Sequence, residues 1–190
     1  MYKRLILFGQ DPKHDLHVNG SRVYFATGGA AVMIANPEDK SYRDSTAQDL
    51  YNKARIVDTC ENIHLFQRTC VLRDIEDNYA MDLNTTYNSV MGTSKHVGAS
   101  WTDKDHLEKT LKMLHMIAGS EEQWRERPFV SQSNCFVVPP MKFAEESLEC
   151  LRIAVEGGMP VLLLSAGPAG ATAPPCLAGT VSQAWAECLG

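Results

Sequence analysis

Short apolar strands that alternate with amphipathic helices predict an α/β fold. Two further observations sharpen the class. With His64, Val97, Val130 and Leu162 taken as strand centres, successive strands fall 33, 33 and 32 residues apart. That matches the roughly 31 residues per unit of an eight-unit β/α barrel of about 250 residues. No glycine-rich nucleotide fingerprint of a doubly wound sheet follows any of these strands. The predicted architecture is the N-terminal half of a TIM-type β/α barrel. About four β/α units occupy residues 62–190, after an extension over residues 1–61 that holds a β-hairpin and a helix. A chain of 190 residues is too short to close such a barrel, so it is expected to stop just after a fourth helix, at Gly190.

The elements follow in order. Residues 22–36 read as two short strands turned at Gly28 and Gly29. Ser45 with Gln48 three residues later is a capping-box signature, and Ala47, Leu50, Ala54 and Val57 then recur at helical spacing up to Cys60. The first strand of the repeat contains Ile63, His64, Leu65 and Phe66, followed by a helix striped by Tyr79, Leu83, Tyr87 and Val90 that ends at Gly92. The second strand lies near residues 95–100. Thr102 is the expected cap of a helix striped by Leu107, Leu111, Leu114 and Ile117, with Gly119 as its stop. The third strand lies near residues 128–132, before a helix striped by Leu148, Leu151 and Val155 and closed by Gly157 and Gly158. Val161 to Leu164 form the fourth strand, and Pro174 opens a helix striped by Leu177, Val181, Ala184 and Cys188.

Composition excludes several classes. Hydrophobic residues make up 44% and charged ones 22%, as in an ordinary globular core. The net charge of −5 comes with no basic stripe, so nucleic acid is not an expected partner. Leu5 to Phe8 is too short for a signal-peptide core and no run could span a membrane, so a cytoplasmic protein without membrane contact is expected. The six cysteines have no C-x-x-C or zinc spacing and read as reduced thiols. His14 and His17 lack a third ligand, so no metal site is predicted.

Ligands of α/β folds bind at the carboxyl ends of the strands. Those ends read Phe66-Gln67-Arg68, Gly98-Ala99-Ser100-Trp101, Ser131-Gln132-Ser133-Asn134, and the small-residue loop from Ser165 to Thr172. The last is not a phosphate loop, because no Lys with Ser or Thr follows its glycines. Its small residues permit a ligand or another backbone to approach closely.

The stretch Gly170-Ala171-Thr172-Ala173-Pro174, followed by Leu177-Ala178-Gly179-Thr180, resembles the trimethylamine:corrinoid methyltransferase family. So do Arg22-Val-Tyr-Phe-Ala-Thr-Gly-Gly-Ala30 and Asn134-Cys-Phe-Val-Val-Pro-Pro-Met141, and the similarity touches nearly the whole chain. The resemblance implies a β/α-barrel enzyme that takes a methyl group from a small methylated amine and passes it to the Co(I) of a corrinoid (cobalamin-type cofactor). That corrinoid is carried by a separate partner protein and is not bound covalently in this chain. Some members of the family carry pyrrolysine; others resemble demethylases of quaternary amines such as glycine betaine, and the chain does not decide between these branches.

By position, Phe66 and Trp101 would form an aromatic wall for the cation. Gln67, Arg68, Asn134 and the backbone near Gly170 would supply donors for a carboxylate, with Thr172 in the same loop. No catalytic residue is assigned. Two other readings stay open: another β/α-barrel enzyme acting on a small polar substrate, or a non-catalytic remnant that binds a methylated amine or the corrinoid protein. A half barrel exposes strand edges and apolar helix faces, so the chain alone is expected to be inactive and to associate, as a homo-oligomer or an aggregate.

Overall fold

The computed structural model describes residues 5–101 and 103–190. The extension begins with an antiparallel hairpin of β1 (Leu5–Leu7) and β2 (Leu16–Val18), joined through a 3-10 turn at Pro12–His14 that Asp11 caps. A second hairpin pairs β3 (Met33–Ala35) with β4 (Tyr42–Asp44). The hairpin expected around Gly28 and Gly29 is therefore corrected. The turn lies instead at residues 36–41, where the Asn36 and Asp39 carbonyl-type oxygens accept from the amides of Glu38 and Ser41. Such side-chain turns fix a reversal more firmly than a glycine pair, which only permits one.

Helix α1 (Ala47–Thr59) is capped one residue later than expected. Thr46 and Asp49 form the reciprocal box, because Ser45 is buried and donates its hydroxyl to the Val71 carbonyl. Leu50, Ala54 and Val57 are buried, as the spacing requires.

The repeat follows as β5 (Leu65–Gln67), α2 (Asn78–Gly92), β6 (His96–Ala99) and α3 (Lys104–Ala118). A short α4 (Glu121–Glu126) then leads to β7 (Val130–Asn134). A small ribbon of β8 (Val137–Val138) and β9 (Lys142–Phe143) precedes α5 (Glu145–Glu156), β10 (Val161–Leu163) and α6 (Leu177–Leu189). Thr102 lies outside the described residues; the cap of α3 is Asp103, and Gly119 stops the helix at φ 101°. Helix α4 carries no periodic signal in six residues. It forms because Ser120 caps it and Trp124 is driven into the core.

β5, β6, β7 and β10 form one parallel sheet in the order of the chain. A doubly wound sheet reverses its order at a switch point, and this one does not. Phe66 packs on α1 through Leu50, Ala54 and Val57. Val97, Ala99 and Val130 pack on α3 and α5 through Leu107, Leu111, Leu114, Ile153 and Ala154. Three predicted stripes are misplaced; in α6, Leu177 and Val181 are exposed and Glu187 is buried instead. Leu148 and Val155 are exposed while Cys150, Ile153 and Ala154 are buried, and Tyr87 is exposed while Thr85, Thr86 and Ser89 are buried. The parallel strands bring α2 close enough to α1 and β6 that small residues fill the contact. A Cβ on Gly92 would stand 2.4 Å from that of Ala54.

The last unit departs from the pattern. A regular β/α helix runs back along its strand, so its C-terminus lies at the strand's amino end. The C-terminal half of α6 instead lies by loops that follow β7 and β10. Glu187, the buried residue of α6, accepts from the Met141 amide (2.9 Å) and the Ser165 hydroxyl. Helix α6 thus starts at Leu177, later than Pro174 suggests, and does not cover β10 as a fourth barrel helix would. Among the described residues, no helix is long and apolar enough to cross a membrane.

Candidate functional site

The amino ends of the strands are closed. Gln10 donates to the Val90 and Thr93 carbonyls, Arg127 forms an ion pair with Asp15 (2.8 Å), and its guanidinium stacks 4.7 Å over the Phe8 ring. His96 donates from Nδ1 to the Phe8 carbonyl (2.8 Å), which leaves Nε2 as a buried acceptor without a partner. Burial brings this histidine down to about 4, so it is neutral. Lys95 is buried as well and donates to the carbonyls of Val57, Cys60 and Ile63 at the end of α1, while desolvation lowers its pKa. A cavity of about 460 Å³ at this end is lined by Gly9, Gln10, Arg127 and Phe129. Its guanidinium, Arg127, is already paired with Asp15, which makes the cavity part of the plug.

The carboxyl ends are different. Strand register places Leu65, Gln67, His96, Gly98, Ser131 and Ser133 on the face away from the helices. Gln67 crosses β6 to reach β7: its Nε2 donates to Ser133 Oγ (3.0 Å), and that hydroxyl stands 3.2 Å from Oε1. Gly98 makes the crossing possible, because a Cβ there would lie 1.9 Å from Gln67 Oε1. Both Gln67 and Ser133 are half-buried. Each keeps hydrogen-bonding capacity beyond this pair, since a primary amide has two donors and two acceptor lone pairs. On the helix side of the same end, Asp82 of α2 accepts from His106 Nδ1 of α3 at 2.8 Å, with Asp82 buried.

The sequence candidates separate accordingly. Phe66 is fully buried under α1 and Trp101 sits in the core with α3. The aromatic wall expected from them is corrected: alternation along the strand sends both side chains to the helix layer. Asn134 also faces that layer, where Nδ2 donates to the Ser147 carbonyl of α5 (2.8 Å). The backbone donors expected near Gly170 are used inside their own loop. The amides of Ala171, Thr172 and Ala173 all point to the Pro168 carbonyl, and Gly170 donates to Ala173. Gly170 allows this closure at φ 79°. Thr172 retains a buried hydroxyl without a partner. Arg68 is turned away from Gln67; burial lowers its pKa, and the nearby Asp82 carboxylate opposes that. Only Gln67, among the candidates of the first strand end, faces the open side.

Sequence reasoning placed Gly98 and Ser133 in the strand-end segments without giving either a role, and Thr27 only in the stretch that resembles the family. A lone glycine inside a strand was the available signal for Gly98. Nothing local signals Thr27, whose hydroxyl reaches β5 across forty residues.

The family model described as trimethylamine methyltransferase (MTTB) matches residues 2–190. The chain belongs to the trimethylamine methyltransferase family. A trimethylamine methyltransferase MttB of Desulfitobacterium hafniense (strain DSM 10664 / DCB-2) is 34% identical over 188 residues, covering 98% of this chain and 37% of that protein. One from Methanosarcina thermophila is 29% identical, covering 98% and 39%. A glycine betaine methyltransferase of Desulfitobacterium hafniense (strain Y51) is 30% identical over 185 residues, covering 96% and 38%. The chain thus spans less than two fifths of the length of these methyltransferase relatives.

Proposed function

We propose that this chain is the N-terminal part of an enzyme that moves a methyl group from a methylated amine to the Co(I) of a corrinoid held by a separate protein. The observation that carries this is the family match over residues 2–190. The names of the relatives supply the donor class, trimethylamine or glycine betaine; the corrinoid acceptor is the part of the reading that the family resemblance adds. In this reading the sheet is the first half of a β/α barrel, with residues 1–61 as an extension that plugs its amino end. The in-order strands and the polar carboxyl ends support it.

The chemistry asks little acid–base work of the protein. The methyl carbon is displaced from nitrogen and the C–N electron pair stays on nitrogen: glycine betaine, a quaternary ammonium, leaves as a neutral amine without a proton, and trimethylamine leaves as neutral dimethylamine when it is bound as its protonated ammonium. Binding and orientation are then what the residues provide. Gln67 and Ser133 offer neutral donors and acceptors on the open face, able to hold a carboxylate or to turn a carbonyl oxygen toward a cation.

The test supplies the intact enzyme with reduced corrinoid protein and either trimethylamine or glycine betaine, and follows the corrinoid absorption spectrum. Amine-dependent loss of Co(I) is expected; no change with any methylated amine overturns the reading.

A further inference from the structure

The outer side of β5 holds an arrangement that the proposed reaction does not by itself require. Thr27 Oγ1 accepts from the Gln67 amide at 2.9 Å and donates to the Gln67 carbonyl at 2.6 Å. One hydroxyl thus holds both main-chain groups of one residue, where a neighbouring strand would ordinarily do so. On either side of it the backbone of the same segment bridges in parallel, Ala26 to Leu65 of β5 and Ala31 to Cys70 just beyond the strand. The side chain of Gln67 is held separately, by Ser133 and by the gap at Gly98. Its amide group is therefore fixed from both ends, although Gln67 closes a strand only three residues long.

We infer that Thr27 is a positioning residue for the methylated-amine site: its hydroxyl sets the backbone of Gln67 so that the Gln67 amide meets the ligand. This rests on the reading of Gln67 and Ser133 as the ligand-facing pair. It adds a residue from the N-terminal extension to the specificity of the site. Loss of a half-buried hydroxyl that makes two such hydrogen bonds weakens a dependent interaction by about tenfold.

The experiment is a double-mutant cycle on the intact enzyme, with trimethylamine and glycine betaine each titrated by calorimetry. Thr27→Val keeps the shape and removes the hydroxyl, and should weaken binding by about tenfold. Thr27→Ser should restore it to within about twofold. In a Gln67→Ala background Thr27→Val should change nothing further, because its effect passes through Gln67. A purely structural Thr27 would lower the unfolding midpoint equally in both backgrounds and leave affinity additive, which overturns the inference. Gln67→Ala with unchanged affinity, or a wild type that binds neither amine, overturns the site itself and the inference with it. Should Thr27→Val fail to fold, Thr27→Ala takes its place in the same cycle.

Discussion

Along the outer edge of β5, the His64 amide donates to the Phe25 carbonyl, Gln67 is held by Thr27, the Thr69 carbonyl accepts from Ala31, and the Val71 amide donates back to Ala31. Along β10, among the described residues, only β7 is paired, and the other edge is bare. The side chains repeat the contrast. Phe66, Leu50 and Leu72 near β5 are at most 1% exposed, whereas Leu162 of β10 is 54% exposed and Trp185 of α6 is 67% exposed. The half-barrel reading expects both edges to be open. One of them is not, because the extension precedes β5 and folds back beside it. A parallel sheet needs its edge groups satisfied, and a segment already tethered nearby meets that need at small entropic cost.

Matched substitutions test this contrast directly. Trp124 is fully buried and donates to the Gly157 carbonyl, so Trp124→Ala should lower stability by about 3–5 kcal/mol in chemical denaturation. A loss below about 1 kcal/mol would mean that the α3–α5 layer is not the packed core described.

The closed amino end makes a prediction in pH. His96 sits at about 4 when folded, against 6.5 when free. The unfolded chain therefore takes up this proton first as pH falls. Stability should drop between about pH 6.5 and pH 4, by about 3 kcal/mol from this group, and be regained above pH 6.5. Denaturation midpoints across that window, compared with His96→Asn, measure it; an unchanged slope in the variant would remove His96 from the account.

The covered edge itself is probed by Ala31→Pro, which deletes the donor to the Thr69 carbonyl (3.0 Å). The expected loss is about 1–3 kcal/mol. A neutral result would put the β5 edge on the same footing as that of β10.

The smallest effect belongs to the open side. Trp185→Ser should change stability by no more than about 0.5 kcal/mol. Together with Leu177→Ser and Val181→Ser it should shift the 190-residue chain toward smaller species in light scattering, since these three side chains are 67–79% exposed. A large stability loss from Trp185→Ser would show that α6 packs more closely than its exposure indicates.

Much of this was legible in the residues themselves. The 33, 33 and 32 spacing located β5, β6, β7 and β10, and Gly119 and the Leu107, Leu111 and Leu114 stripe located α3. The strand end Phe66-Gln67-Arg68 stands out from position alone, and the motif around Gly170 points to the family. These signals are local: periodicity, caps and stops act over a few residues, and the chain states them directly.

Only the tertiary structure decided which way the side chains at those positions point. Phe66 and Gln67 are neighbours in sequence, yet one fills the core and the other crosses the open face. The difference is set by the strand's two-residue alternation against whichever face the helices cover. The role of Thr27 and the path of α6 depend in the same way on partners 22 to 46 residues away. No local pattern encodes such partners, because the free energy that selects them comes from burial and hydrogen bonds made only once distant segments meet.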